Sequence, residues 1–379
     1  MLGLPLRQSK SELSPPRSPR RIRYVEDKRV DWQRVSEITA LSEQSRHWTN
    51  FGPVSLALEC VIEHLIALPA DRAVVMCASG TVALQALAAL QAVKRGGRLR
   101  WAVSAFTFFS QRTGAFSDAV IVDCDGRGMI SLDAVAALPD NLWDGLVVTN
   151  LFGCLSDARR YSDFCKARGK PLILDSAAAL FGLDRGSPDH PVEAISFHHT
   201  KPWGVGEGGC MVLDRTDAPL ARSAINFGLS GPDSLKPLSC NGKISDLACA
   251  AILERLERLP TWAVACAAQR ARIEDLCREM AVPLLLEAPR NALLSSVPPL
   301  AAQAIELQAF ADLSFDVGKY YPPLDQRCGT ARSIFARIIN VPCHGDMTAV
   351  TDQELLRLLD RLQPGGANSP ATQADGARP

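Results

Sequence analysis

The sequence predicts an α/β protein: a three-layer αβα domain built on a mostly parallel sheet, followed by a smaller C-terminal α/β domain. Two observations carry this prediction. Short apolar, β-rich runs alternate with segments of helical periodicity along most of the chain, an order that is typical of parallel strands joined by crossover helices. The chain has 379 residues, 47% of them hydrophobic, which is enough for a large core and a companion domain.

The predicted elements follow one another in a regular order. Helical patterns are predicted at residues 54–68, 81–94, 132–138 and 157–167. Strand-like runs are predicted at residues 73–77, 101–104, 120–123, 146–150, 172–175, 194–197 and 210–213. Residues 244–280 form a long helical region that is expected to break near Pro260, because proline lacks the N–H of a helix interior. In such a sheet, functional residues collect at the carboxyl ends of the strands.

The composition divides the chain into four segments. Residues 1–30 are predicted to be a disordered tail, because the first 29 residues hold eight basic and three acidic side chains among prolines and serines. Residues 364–379 have a similar character and form a second predicted tail. Between the tails, we expect a large domain at residues 31–280 and a small domain at residues 281–363.

Charge and cysteine content exclude several classes of protein. The 41 basic and 41 acidic side chains balance, whereas a protein that binds nucleic acid or an anionic membrane is expected to carry excess positive charge. No apolar stretch reaches the roughly 18 residues that a membrane-spanning helix needs. The twelve cysteines include no Cys-x-x-Cys pair, which predicts no metal site, and without an export signal they fit the cytoplasm.

A glycine-rich segment at residues 204–209 matches the dinucleotide-binding pattern G-x-G-x-x-G letter for letter. That pattern requires a strand before it and a helix opening within it. Here a predicted strand follows the last glycine, so we do not interpret the segment as a nucleotide site. The sequence also lacks the phosphate-binding P-loop and the G-x-S-x-G motif of serine hydrolases.

Two polar features follow predicted strands. Residues 79–81 (Ser-Gly-Thr) lie where a strand meets a helix, and the free N–H groups of a helix N-terminus favour an anion such as phosphate. Asp175 ends an apolar strand and precedes small side chains that leave room for a flat ring. Each feature has a simpler interpretation, because serine, threonine and aspartate are common N-caps of ordinary helices.

The densest polar segment, residues 194–209, carries one lysine, Lys201, in a glycine-rich loop after a predicted strand. Its neighbours His198, His199 and Trp203 are interpreted most simply as packing residues. A lysine in a desolvated site near other cations is nucleophilic, as Schiff-base chemistry requires. Lys201 is therefore the candidate nucleophile.

Together, these motifs resemble those of the DegT-type nucleotide-sugar aminotransferases, which have the aspartate-aminotransferase fold, fold type I of the enzymes that use pyridoxal phosphate (PLP). The motifs are residues 79–81 (Ser-Gly-Thr), 107–108 (Thr-Phe), Asp175, 196–201 (Ser-Phe-His-His-Thr-Lys), 206–209 (Gly-Glu-Gly-Gly) and 241–246 (Asn-Gly-Lys-Ile-Ser-Asp). The resemblance runs from residues 48–53 to residues 320–324 and 341–342, and so covers nearly everything between the tails.

By this resemblance, Lys201 and Asp175 are the catalytic pair. Lys201 binds PLP as a Schiff base, and Asp175 pairs with the nitrogen of the pyridine ring. A carboxylate against that nitrogen keeps it protonated, so that the ring accepts electrons when the Cα–H bond of the amino donor breaks.

The same resemblance implies five further cofactor-binding residues. Phe108 is expected to stack on the ring. The backbone of Gly80 and Thr81 and the hydroxyl of Ser196 are expected to hold the phosphate. Asn241 is expected to reach the phosphate bound by the partner subunit, which implies a homodimer with shared sites.

The implied activity is transfer of an amino group from glutamate to the keto group of a nucleotide-linked deoxysugar. Two positions depart from the family: Ala178 stands where glutamine is usual, and Asp325 where histidine is common. A sugar dehydratase of the same fold is an alternative, although such enzymes carry histidine in place of Lys201. A non-catalytic binding or regulatory protein is a second alternative, for which Ala178 is the only indication.

Overall fold

The computed structural model of the chain describes residues 21–154, 157–187 and 189–365. Residues 1–20 and 366–379, which make up most of the two predicted tails, lie outside the described residues. The described part contains a seven-stranded sheet and a separate two-stranded sheet.

The large sheet confirms the predicted α/β class. Its strands are β1 (Arg72–Cys77), β2 (Trp101–Ser104), β3 (Val120–Val122), β4 (Gly145–Thr149), β5 (Leu172–Asp175), β6 (Val192–Ser196) and β7 (Gly209–Asp214), in the spatial order β1-β7-β6-β5-β4-β2-β3. Only β7 runs against its neighbours, and the other pairings are parallel. Every residue of β1, β2, β4 and β5 is buried, as expected when helices cover both faces of a sheet.

The helices confirm the predicted break near Pro260. They are α1 (Trp32–Ser45), α2 (Pro53–Leu65), α3 (Gly80–Arg95), α4 (Leu132–Ala136), α5 (Ala158–Lys166), α6 (Ala218–Ala224), α7 (Asp246–Glu257), α8 (Leu259–Glu279), α9 (Gly329–Arg337) and α10 (Asp352–Asp360). Pro260 is the second residue of α8, where its missing N–H leaves no intrahelical bond unmade. No helix in the described part of the chain is long and apolar enough to cross a membrane.

Successive residues of a strand pack into different layers, which gives the predicted αβα arrangement. Val74 and Met76 of β1 pack in one cluster with α1, α2 and α7. Val75 and Cys77, on the opposite face of the same strand, pack with α3 and α6. This division follows from the two-residue period of a strand.

The C-terminal part has its own core, as the predicted smaller α/β unit requires. Its two-stranded sheet pairs β8 (Ser296–Val297) with β9 (Val341–Pro342) in antiparallel fashion. Helix α8 connects the two parts of the molecule, because Trp262 near its start packs on the large-sheet core whereas Ile273 packs in the C-terminal core. The exact boundary at residue 281 stays a prediction.

Residues 21–30 differ from the predicted disordered tail. Ile22 forms a parallel bridge with Phe315, and Glu26 forms an ion pair with Arg255 at 2.6 Å. The prediction for these ten residues is therefore wrong. The segment is held by single contacts to distant residues, both polar and apolar, since Ile22 and Val30 also pack against the two cores. Such contacts leave no regular apolar period in the sequence.

Candidate active site

A cavity of about 480 Å³ opens at the carboxyl ends of the parallel strands. Asp175 is the last residue of β5, Ser196 is the last residue of β6, and Ser79 follows β1. The cavity is lined by six of the seven predicted site residues, namely Gly80, Thr81, Phe108, Asp175, Ser196 and Lys201. The structure thus brings together residues that are more than 100 positions apart, and their individual roles remain predictions.

Asp175 lies deep in this cavity and is only 2% exposed. Its carboxylate accepts hydrogen bonds from Gln111 Nε2 at 2.8 Å and from the backbone N–H of Ala177 at 3.1 Å. Burial raises the pKa of the Asp175 carboxyl above its ordinary value, and these hydrogen bonds oppose that rise. Residues 176–187 form no helix, so the helix-cap interpretation of Asp175 is wrong.

Lys201 lines the same cavity from the loop between β6 and β7, residues 197–208, which we call the lysine loop. Burial lowers the pKa of the Lys201 ammonium group, and the charge of Asp175 acts in the opposite direction. Trp203, which belongs to the loop, is fully buried and donates from Nε1 to the Ser196 carbonyl at 2.8 Å. A lowered pKa gives Lys201 the neutral fraction that a nucleophile needs.

The first turn of α3 forms the polar end of the cavity. Ser79 caps the helix by accepting a hydrogen bond from the N–H of Val82 at 3.2 Å, so the simpler interpretation of this serine holds as well. A Cβ atom on Gly80 would lie 2.9 Å from Ser196 Cβ, so only glycine lets the helix start pack against the end of β6. Free N–H groups of a helix start beside a serine hydroxyl are suited to phosphate.

The glycine-rich segment after Lys201 has a packing role. Gly209 begins β7, and no helix opens there, which confirms the rejection of a dinucleotide site. A Cβ on Gly209 would lie 2.2 Å from the carbonyl carbon of Ser79. Glycine is therefore needed for the close approach of β7 to the turn that precedes α3.

Behind Asp175 lies a buried hydrogen-bond network that the sequence did not reveal. Gln111 is fully buried and donates to both Asp175 and the Thr149 hydroxyl, each at 2.8 Å. The Thr149 hydroxyl also forms a 2.7 Å bond with that of Thr107. In the sequence, only the nearby Thr-Phe pair at residues 107–108 indicates this segment. The segment has no regular apolar period, because it folds into two short 3-10 helices.

Gln111→Met is expected to lower kcat of the amino transfer that the resemblance implies by about ten- to hundredfold. The reason is that a hydrogen bond to a charged group contributes about 1.5–3 kcal/mol. Loss of the donor raises the pKa of Asp175 further and weakens its charged form. The measurement is the pH profile of kcat. Thr107→Val, two hydrogen bonds further from the carboxylate, is the matched control and should have a much smaller effect. A wild-type profile in Gln111→Met would contradict a tuning role.

The two histidines beside Lys201 differ in position. His198 lines the cavity and lies 3.5 Å from the carboxylate of Glu207. His199 does not line the cavity, and burial lowers its pKa. Of the two departures from the family, Ala178 lines the cavity, whereas Asp325 lies outside its lining and binds Arg327.

Asn241 is the one predicted site residue that does not line this cavity. It is exposed, and the carbonyl of the next residue, Gly242, accepts a hydrogen bond from the N–H of Ala78 at 2.7 Å. Lys243 donates to the Asn241 Oδ1 atom at 2.6 Å. In this orientation the amide nitrogen of Asn241 is the group that can donate to a ligand.

Several solved structures share this fold. One is PseC from Helicobacter pylori, an aminotransferase involved in the biosynthesis of pseudoaminic acid, with a TM-score of 0.72, 17% identity, and coverage of 89% of this chain and 97% of that one. Another is a DegT/DnrJ/EryC1/StrS aminotransferase from Brucella abortus, with a TM-score of 0.69, 19% identity, and coverage of 86% and 95%. A third is DesI, solved in the presence of its TDP-sugar product, with a TM-score of 0.70, 23% identity, and coverage of 88% and 89%. The molecule therefore has fold type I of the PLP-dependent enzymes.

The sequence comparison identifies the family. Residues 30–293 match the model of the DegT/DnrJ/EryC1/StrS aminotransferase family, and the chain belongs to this family. Protein Rv3402c of Mycobacterium tuberculosis is 29% identical over 231 residues, which are 56% of this chain and 54% of that protein. The chain thus spans about half the length of the curated relatives it matches.

The donor set of the cavity fits PLP, the cofactor of this family. A buried carboxylate suits a protonated pyridine nitrogen, a lysine of lowered pKa suits an aldehyde, and a helix start beside Ser196 suits a phosphate. Phe108 is 54% exposed at the cavity, where a ring can stack on it. Membership of the family and this fit confirm the cofactor expected from the sequence.

Proposed function

We propose that this chain is a PLP-dependent aminotransferase that moves an amino group from glutamate to the keto group of a nucleotide-linked deoxysugar. The observation that carries the proposal is the joint presence of Asp175, Lys201 and the start of α3 on one cavity. These are the groups required to hold the ring nitrogen, the reactive carbon and the phosphate of the cofactor.

Each residue has a defined task in the proposed reaction. When bound, PLP supplies an electron sink for the charge that is left when the donor Cα–H bond breaks. Asp175 holds the proton on the ring nitrogen throughout. Lys201 would hold the cofactor covalently and, once the amino donor has displaced it, its free amine would move the proton that is released at the donor Cα. The same steps in reverse deliver the amino group to the sugar ketone.

Two features support the proposed substrate class. The structural neighbour DesI was solved with its TDP-sugar product, and PseC acts in the biosynthesis of pseudoaminic acid. The lining of the cavity includes polar side chains that suit a hydroxylated ligand, namely those of His198, Thr200, Glu207 and Ser295. We further propose that the enzyme works in the cytoplasm on small molecules alone.

Addition of glutamate to the purified holoenzyme tests the proposed activity. The absorbance of the lysine-bound cofactor near the visible edge should bleach, and a nucleotide ketosugar from a panel should restore it with a product mass that shows one added amino group. A ketosugar that loses a hydroxyl group without gaining an amine would instead favour the dehydratase. The presence of Lys201 argues against the dehydratase. A protein that shows no cofactor absorbance would instead be the non-catalytic binding or regulatory protein.

We also propose a homodimer in which Asn241 completes the partner subunit's site. Asn241 is exposed and lies outside its own chain's cavity. It forms an isolated bridge with Asn226, next to Phe227, which is 55% exposed. Exposed apolar side chains beside a polar donor are typical of an interface between subunits.

Asn241→Ala is expected to weaken PLP binding ten- to hundredfold, because one hydrogen bond to a charged group contributes about 1.5–3 kcal/mol. Mixing these subunits with inactive Lys201→Ala subunits provides the sharper test. A heterodimer then carries both defects in one site and leaves the other site intact, so activity and tight PLP binding should reappear. If neither recovers while native mass spectrometry confirms heterodimers, Asn241 serves its own chain's site or none.

A further inference from the structure

Lys28, which is 173 positions from Lys201 in the sequence, contacts the backbone of the lysine loop. Its ammonium group donates to the carbonyl oxygens of His199 and Gly204, each at 2.7 Å, and to that of Lys201 itself. A lysine ammonium has three N–H donors. All three are used on one short loop.

A second cationic side chain, that of Arg255, binds the same loop. Arg255 donates from Nε to the Pro202 carbonyl at 3.0 Å, and its Nη2 binds Glu26 at 2.6 Å. The carbonyl groups of four residues in the lysine loop are therefore bound by Lys28 and Arg255. The carboxylate of Glu26 lies on the same N-terminal segment as Lys28, so that segment brings both a cation and its counter-charge to the loop.

Burial of the charged Lys28 ammonium group is unfavourable in free energy. Burial, and next the charge of Arg255, lower the pKa of Lys28 to about 7, while Glu26 acts in the opposite direction. A buried cation persists when its hydrogen bonds compensate for the lost water. The carbonyl groups of the lysine loop provide that compensation, which ties the position of the loop to the presence of Lys28.

We propose that Lys28 is a positioning residue, whose three hydrogen bonds fix the backbone of the lysine loop and thereby the placement of Lys201 against the cofactor. This inference rests on the proposed function only in giving Lys201 its role. The hydrogen bonds act on the backbone on both sides of Lys201 and on its own carbonyl. Without them, the loop retains the Lys201 side chain but no longer presents it in a single position.

Lys28→Met tests the inference, with Lys170→Met as the matched control. Lys170 also donates to two backbone carbonyl oxygens, those of Asp140 and Trp143, each at 2.7 Å. It lies just before the start of β5, at the end of the strand opposite to Asp175. Both variants lose a lysine that binds backbone carbonyl groups, but only Lys28→Met affects the lysine loop.

Three measurements distinguish a role of Lys28 in positioning the lysine loop from a general contribution to the stability of the fold. In cofactor-free Lys28→Met protein, the amides of residues 198–206 should exchange hydrogen faster than in the wild type. In the holoenzyme, PLP affinity should fall about ten- to hundredfold, and the midpoint of the pH titration of the Schiff-base absorbance should shift. Lys170→Met should lower the melting temperature and leave all three readouts unchanged. Lys28→Arg, which keeps the charge and donors, should restore part of the PLP affinity.

A Lys28→Met protein that melts earlier but keeps wild-type loop exchange and PLP affinity would overturn the inference. If Lys28→Met fails to fold, Lys28→Gln, whose shorter and uncharged side chain keeps a polar group but cannot bind all three carbonyl groups, gives the same comparison. Failure of the proposed function is distinguishable. A wild-type protein that transfers no amino group can still show loop exchange that depends on Lys28, because that arm uses neither substrate nor cofactor.

Discussion

Lys201→Ala is expected to abolish amino transfer, with a loss of about 10⁴-fold or more, while the protein remains folded. The variant lacks both the covalent attachment of the cofactor and the group that moves the proton at the donor Cα, and general acid–base catalysis alone contributes about 10²–10⁴-fold. The fold should persist, because burial lowers the pKa of this ammonium group and its removal relieves a desolvation cost. The measurements are steady-state transfer and thermal unfolding.

A small amine provides the control for this variant. Methylamine added to Lys201→Ala should restore a small part of the activity, because it can enter the space left by the side chain and move the proton. Lys170→Ala, which removes a lysine from the opposite end of β5, should transfer amino groups at nearly the wild-type rate. Activity of Lys201→Ala above about a hundredth of wild type would contradict the assigned role.

Asp175→Asn is expected to lower kcat at least ten- to hundredfold, since loss of a charged partner for the ring nitrogen removes at least the ~1.5–3 kcal/mol of a charge-assisted hydrogen bond. Asparagine has nearly the same shape as aspartate, although its single oxygen can accept from only one of the two donors, Gln111 and the N–H of Ala177, which bind different oxygens of the carboxylate. What it lacks is the negative charge that keeps the ring nitrogen protonated. The measurement is kcat for the half-reaction with glutamate, together with the pH profile.

The same variant should stabilise the cofactor-free protein, which a merely structural role would not predict. Burial raises the pKa of Asp175 in the folded state, so the folded protein holds its proton more tightly than the unfolded chain. Stability therefore falls as the pH rises from the unfolded pKa through the folded pKa, and above it the charge is a net cost. At pH 7, cofactor-free Asp175→Asn should melt later than wild type. Earlier melting with unchanged kcat would contradict the account.

The sheet could be predicted from the sequence because most of its strands are apolar runs that are buried on both faces. The last predicted strand, residues 210–213, lies within β7, but nothing in its composition indicated that it runs against its neighbours. Helix α1 was missed for a physical reason. Only four of its 14 residues are buried, and Thr39 and Ser42 are two of them, so its apolar period is weak.

A site residue could be identified where chemistry coincides with a predicted strand end, as at Asp175, whereas Ser196 was identified only through the resemblance to the family. Residues were not predicted where a side chain reaches the site from a distant or irregular segment. Gln111 lies 64 positions from Asp175, and Lys28 lies 173 positions from Lys201. A single sequence contains no signal for such pairs, because their partners are defined only by the folded backbone.

The central claim, that Lys201 holds PLP, is tested most directly by reducing the holoenzyme with borohydride and mapping its peptides by mass spectrometry. Reduction fixes the cofactor on the lysine that carries it. The account predicts a pyridoxyl group on Lys201 and on no other lysine, with complete loss of the label in Lys201→Ala. A pyridoxyl group on another lysine, with Lys201 unmodified, would contradict it.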